Sequence, residues 1–241
     1  VHPTPDTTVE PDETVSFAVV AGTGYNVASP SAATGTIVND DTNVSIGISS
    51  PSSVPEDGAQ NLTYTFTRNP QTTGDVTVNF SVGGTATFGN DYTQTGAATF
   101  STISGTVVIP AGQTTATVTI DPTADNIAEP DETVVLTVTS GAGYNIGAPS
   151  AATGTILNDD TSVTVSVSPA SVAEDGAANL VYTFSRNPVI SGPLTVAFSV
   201  GGTATFNTDY TVTGADSFSG SGGTVTFADG ILTVRADSTA W

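Results

Sequence analysis

The sequence predicts an all-β protein built from antiparallel β-sandwiches in tandem. Three observations lead there. Short runs alternate apolar and polar residues, as Leu62, Tyr64 and Phe66 do with Thr63, Thr65 and Thr67. Alternate positions of a strand share a face, so such runs read as half-buried strands. Turn-forming residues punctuate them, with 25 Gly and 14 Pro in 241 residues. Finally, the stretch from Asp6 to Asp41 returns from Asp125 to Asp160, each matched residue 119 positions further on. A repeat of that length is a whole domain.

Residues 1–41 read as the second half of such a unit. An acidic loop from Asp6 to Glu13 precedes Val15, Phe17 and Val19, which alternate with Ser16 and Ala18. Gly22-Thr23-Gly24 turns the chain, and Thr34 to Val38 reads as a closing strand before Asn39-Asp40-Asp41.

Residues 42–160 read as one complete unit. Val44, Ile46 and Ile48 open it, Glu56-Asp57-Gly58 turns, and Leu62, Tyr64 and Phe66 follow until Asn69-Pro70. Val76, Val78, Phe80 and Val82 form the next inward face. Asp91 then stands beside Tyr92, an aromatic expected to pack inward. Val107 to Ile109, then Ala116, Val118 and Ile120, then Val134, Leu136 and Val138, then Thr155 to Leu157 supply the later strands. Seven or eight short strands with turn signals between them predict a sandwich.

Residues 161–241 repeat the first half. Glu56 maps to Glu174, Arg68 to Arg186 and Asp91 to Asp209, each 118 positions on, and the match fades near Gly230. The third unit is therefore expected to stop short of its last strands.

Charge excludes some functions. Lys and Arg number 3 against 23 Asp and Glu, a formal net charge of −20. Nucleic acid and anionic lipid need a basic face, so neither is expected as a partner. No apolar run approaches the ~18 residues of a membrane span, and no membrane insertion is expected. Cysteine is absent, so stability is expected from core burial or a bound ion. With no initiating Met and no signal peptide, the chain reads as a processed piece.

The carboxylates cluster. Successive strands of a sandwich run in opposite directions, so every second loop shares an end. Glu56, Asp91, the loop from Asp125 to Glu132, and Asp159-Asp160 can therefore gather at one end. Two bare carboxylates ~4 Å apart repel by ~4 kcal/mol at an effective dielectric of ~20, and a cation offsets this. An all-oxygen ligand set suits Ca²⁺. Zinc does not fit, because His2 is the sole histidine and there is no thiolate. Asp91 has a second reading, as a turn residue capping backbone amides.

The set Glu56, then Gly89-Asn90-Asp91-Tyr92, then Asp125-Asn126-Ile127-Ala128-Glu129-Pro130-Asp131-Glu132, then Ile156-Leu157-Asn158-Asp159-Asp160 resembles the Calx-β domain. The resemblance covers nearly the whole chain. It implies tandem immunoglobulin-like antiparallel β-sandwiches that bind several Ca²⁺ ions at one end. The ligands it implies in the complete unit are Glu56, Asp91, Asp125, Glu129, Glu132, Asp159 and Asp160. In the first half-unit they are Asp6, Glu10, Glu13, Asp40 and Asp41; in the last, Glu174 and Asp209. The chain departs from the family pattern at Ala124 and Asn158, where that pattern often has Asp, and in a longer Thr93–Thr106 segment. Fewer charges imply fewer ions or weaker binding.

Function follows as expectation. Ca²⁺ is expected to stiffen the junctions between neighbouring repeats of an extracellular or cell-surface protein, bacterial in type. Half-units at both ends read first as a truncated piece of a longer chain; the sharper reading is assembly of copies head to tail into a filament. The alternative is an adhesion module for a surface glycan or protein, with calcium only structural. An enzyme is not expected: one His supports no nucleophile–base–orienter set, and aromatics for a sugar platform are only 7%.

Overall fold

The computed structural model describes residues 1–190 and 192–228, and the backbone of 231–238. Among the described residues every regular element is a strand. Contacts divide the chain into two compact units: Val1–Ala124 with Asp131–Leu157, and Asp125–Pro130 with Asn158–Trp241.

The first unit begins with an antiparallel ribbon of β1 (Glu13–Ala18) and β2 (Ala32–Ile37). Glu13 faces Ile37 and Ala18 faces Ala32. The two strands form a sheet of their own. The turn expected at Gly22-Thr23-Gly24 is there, with Gly24 at φ 90°, a conformation that glycine adopts without strain.

A sandwich follows. Its strands are β3 (Asn43–Ile48), β4 (Ser53–Pro55), β5 (Leu62–Asn69), β6 (Val76–Gly84), β7 (Tyr92–Thr95) and β8 (Thr99–Phe100). They continue as β9 (Ser104–Ile109), β10 (Thr115–Pro122), β11 (Glu132–Val138), β12 (Asn145–Ile146) and β13 (Ala151–Leu157). One sheet has the order β12-β3-β5-β10-β7, the other β4-β13-β11-β6-β9-β8. The extra strands beyond the expected seven or eight are the edge pieces β4, β7, β8 and β12. They are too short to show a two-residue alternation. Two edge pairs, β12 with β3 and β13 with β4, are parallel, where antiparallel pairing was expected throughout. After β3 the chain crosses to the opposite sheet, so β4 runs beside β13 in the same direction.

The alternating residues meet between the sheets. Val44, Ile46, Leu62, Tyr64, Phe66, Val118 and Ile120 are buried on one side, Val76, Val78, Phe80, Val134, Leu136 and Val138 on the other. Phe66 and Phe80 meet across the sandwich with ring centroids 5.2 Å apart. The longer Thr93–Thr106 segment carries Phe100, which packs edge-on against Phe88 at 4.8 Å. Arg68 is fully buried and without a carboxylate partner in its hydrogen bonds. Its guanidinium donates to the carbonyls of Gln113, Thr72, Gly74 and Pro110 and to the Thr72 hydroxyl. It closes the end of the sandwich away from Glu56.

The second unit holds β14 (Ser162–Ser168), β15 (Leu180–Asn187), β16 (Leu194–Ser199), β17 (Tyr210–Thr213), β18 (Ser217–Ser219), β19 (Gly222–Phe227) and β20 (Ile231–Ser238). Its sheets are β14-β15-β20-β17 and β16-β19-β18. Although the sequence match fades near Gly230, β20 pairs with β15 as β10 pairs with β5. Backbone pairing tolerates that divergence because it uses no side chain. Gly230 and Trp241 lie outside the described residues.

Candidate metal centre

Five acidic side chains, Glu56, Asp91, Asp125, Glu129 and Glu132, lie after β4, before β7 and from the exit of β10 to the start of β11. Glu56 follows β4; its N–H donates to the Leu157 carbonyl at 3.0 Å, and its side chain is 4% exposed. Asp91 ends a tight turn whose Asn90 and Asp91 N–H groups both donate to the Thr87 carbonyl. The Asp91 carboxylate accepts the Thr87 N–H, so the capping reading of this residue holds. The Thr123 N–H donates to the Asp91 carbonyl at 2.9 Å and ties β10's exit to that turn.

Two side-chain hydrogen bonds shape the crossover that follows β10. Asp125 opens it with an Asx turn, its Oδ1 accepting the Ile127 N–H at 2.6 Å. Further along, the Glu129 N–H donates to Asn158 Oδ1 at 3.2 Å. The Asn158 amide in turn donates to the Asp160 carbonyl at 2.8 Å. Glu132 then starts β11.

Two acidic triads result: Glu56, Asp125 and Glu129, and Asp91, Glu129 and Glu132. In each, one carboxylate oxygen per residue lies within 4.8 Å of the others. Glu129 belongs to both. Buried and half-buried carboxylates this close repel by about 4 kcal/mol per pair at an effective dielectric of ~20. A hard divalent cation relieves that repulsion. The donors are all oxygen and their spacing is loose, which fits Ca²⁺ better than Mg²⁺, with its near-ideal octahedron.

The other expected ligands belong to neither triad. Asp159 and Asp160 are half-buried just past β13. In the ribbon segment Asp6, Glu10, Glu13 and Asp40 are exposed, and only Asp41 is buried. Burial, then the charges of Asp40 and Asp6, push the Asp41 carboxyl above its ordinary value. Glu174 and Asp209 are exposed. The triads need one set of side chains from β4 and the β6–β7 turn and another from the crossover. Residues 1–41 supply only the crossover set, Glu174 and Asp209 only the other.

The sequence reading missed Asn158 and its counterpart Asn39. Asn39 makes the same two bonds, accepting the Glu10 N–H at 3.3 Å and donating to the Asp41 carbonyl at 2.9 Å. Two Asn at one spacing from two Glu were the available signal. An Asp could not donate the second bond.

A two-sheet sandwich with an acid-lined loop end defines a class: β-sandwich domains that bind divalent cations through oxygen. The Calx-beta domain model matches residues 39–161, and the chain belongs to that family. The calcium binding domain CBD12 of CALX1.1 is 17% identical over 81% of this chain and 76% of that one, with a TM-score of 0.40. Among solved structures, the crystal structure of CBD12 from CALX1.2 is 17% identical over 81% of this chain and 76% of that one, with a TM-score of 0.40. The apo-form Calx CBD1 domain is 21% identical over 49% of this chain and 99% of that one, with a TM-score of 0.38. Among curated proteins none matches. No helix among the described residues is long and apolar enough to cross a membrane.

Proposed function

We propose that the chain is a non-catalytic, calcium-binding structural repeat of an extracellular or cell-surface protein of bacterial type. Ca²⁺ is held by Glu56, Asp91, Asp125, Glu129 and Glu132, with Asp159 and Asp160 beside them. The observation that supports this most is the pair of triads sharing Glu129, in a chain of net charge −20. The bound ion fixes the crossover between β10 and β11. Asp159-Asp160 leads in sequence straight into β14 at Ser162, so an ion there also stiffens the link between repeats. Copies assemble head to tail.

Calorimetry and limited proteolysis test the calcium role together. Calcium is expected to raise the melting temperature and to slow cleavage between Asp125 and Asp131. Equal melting temperatures and equal cleavage in calcium and in EGTA would overturn it.

A further inference from the structure

Two short links in the chain carry the same residues. Asn39-Asp40-Asp41-Thr42 joins the ribbon to the sandwich, and Asn158-Asp159-Asp160-Thr161 returns 119 positions further on. A link this short still lets the parts it joins swing unless contacts hold it. At Asn39–Thr42 hydrogen bonds hold both ends.

The start of the link is tied to the acidic loop before the ribbon. Asn39 Oδ1 accepts the Glu10 N–H at 3.3 Å, and the Asn39 N–H donates to Asp12 Oδ1 at 3.0 Å. The Asn39 side-chain amide donates to the Asp41 carbonyl at 2.9 Å. The end of the link is tied to the sandwich. Thr42 is fully buried. Its hydroxyl donates to the carbonyl of Pro70, just past β5, at 2.5 Å. Its carbonyl accepts the Asn145 N–H at 2.8 Å. Branching at Cβ leaves Thr42 few rotamers, and a buried hydroxyl is costly unless bonded, so the bond to Pro70 is kept in one direction.

A cross-brace spans the link. Asn145 belongs to β12, which lies along β3 with Asn145 in register with Asn43. Its side-chain amide donates to the Thr7 carbonyl at 2.6 Å. One residue of the sandwich thus grips both the link and the loop that precedes the ribbon. Contacts accordingly place residues 1–41 in one compact unit with the sandwich. The second link repeats the pins within its own unit. Asn158 bonds to Glu129 and Asp160 as Asn39 does to Glu10 and Asp41. The Thr161 hydroxyl donates to the carbonyl of Pro188, 118 positions past Pro70, at 2.5 Å.

We propose that Asn39–Thr42 is a fixed joint in which Asn39, Thr42 and Asn145 hold the acidic loop against the sandwich in one direction without a bound ion. The partners are backbone groups and side chains of the chain itself. All but the Asp12 bond join neutral groups, so none of them calls for a cation. The direction of the joint is set before any ion binds, and an ion adds to a stiffness already present. This goes beyond the calcium reading above, which assigns the stiffening of the link to the ion, and it does not rest on that reading. Asn39, Thr42 and Asn145 are positioning residues: they act on the placing of the loop.

The absence of cysteine allows a direct test on the 241-residue chain. Ala32→Cys in β2 and Thr117→Cys in β10 are both exposed and take nitroxide labels. Pulsed electron paramagnetic resonance then reads the distance between them. In EGTA the distribution is expected to be narrow, with the same mean distance as in calcium. Thr42→Val removes the hydroxyl at nearly the same shape and should broaden the distribution in EGTA. Thr42→Ser restores the hydroxyl and should restore the narrow peak, which a role in packing alone does not predict. Asn145→Ala, at a half-buried side chain, should also broaden it and serves if Thr42→Val fails to fold; circular dichroism checks the fold of each variant. A broad distribution in EGTA that narrows in calcium overturns the proposal and leaves the calcium reading standing. A narrow peak that neither Thr42→Val nor Asn145→Ala moves overturns it as well. A narrow peak in EGTA that both variants broaden, with a melting temperature indifferent to calcium, supports the joint and removes the calcium reading.

Discussion

Asn158 Oδ1 accepts the Glu129 N–H at 3.2 Å across 29 residues of sequence. The bond holds the one carboxylate shared by both triads to the segment leaving β13. The same amide donates to the Asp160 carbonyl, so only a side chain with both a donor and an acceptor satisfies the site. Asn158→Asp keeps the acceptor, loses the donor and adds a charge beside an acidic group. Without calcium it is expected to lower stability by about 1–3 kcal/mol, and calcium should recover part of that. Denaturant melts of both proteins with and without calcium measure this.

Glu129 also predicts a ranking. Glu129→Gln weakens both triads, whereas Asp91→Ala weakens one and also removes the cap on Thr87 N–H. Isothermal titration should show the larger loss of calcium affinity for Glu129→Gln. Asp91→Ala should show a smaller loss of affinity and a larger drop in apo stability. Asp209→Asn should leave calcium binding by the two triads unchanged, since Asp209 belongs to neither.

Arg68 is a structural cation, not a ligand-binding one. Its guanidinium satisfies four carbonyls and one hydroxyl in a site sealed from water. Arg68→Met takes a charged donor from each of those acceptors and leaves the Gln113 carbonyl without its side-chain partner, and is expected to cost at least about 3 kcal/mol. Arg68→Lys keeps the charge but lacks the planar fork, so it should recover only part of the loss. Equilibrium unfolding of both variants in calcium checks the order.

Much of the sandwich was legible because period-two alternation survives in single segments. Leu62, Tyr64 and Phe66 declare an inward face without reference to any partner, and they are all buried. What alternation cannot show is anything settled between distant segments. The two-residue strand at Asn145–Ile146 exists only because β3 offers it an edge. The triads were half legible for the same reason. The acidic loop at Asp125–Glu132 was plain from composition, but its meeting with Glu56 and Asp91 depends on the sheet order. The role of Asn158 was hidden because it was weighed as a missing charge. Its function lies in its second hydrogen bond, which charge counting does not register.

Tyr64 makes the core sensitive to alkali. Its hydroxyl is buried and donates to the Val134 carbonyl at 2.7 Å. Burial is the main cause that pushes its phenol above the ordinary 10.0. A proton held more tightly when folded gives stability that is complete below pH 10 and is lost as pH rises through the raised value. Burial raises Tyr144 in the same direction. Stability should therefore stay level up to about pH 10 and then fall, with ionisation of the buried tyrosines appearing together with unfolding. Tyr64→Phe gives up about 1 kcal/mol at neutral pH and should make the alkaline fall shallower. A fall equally steep in the variant would assign the alkaline loss to other groups.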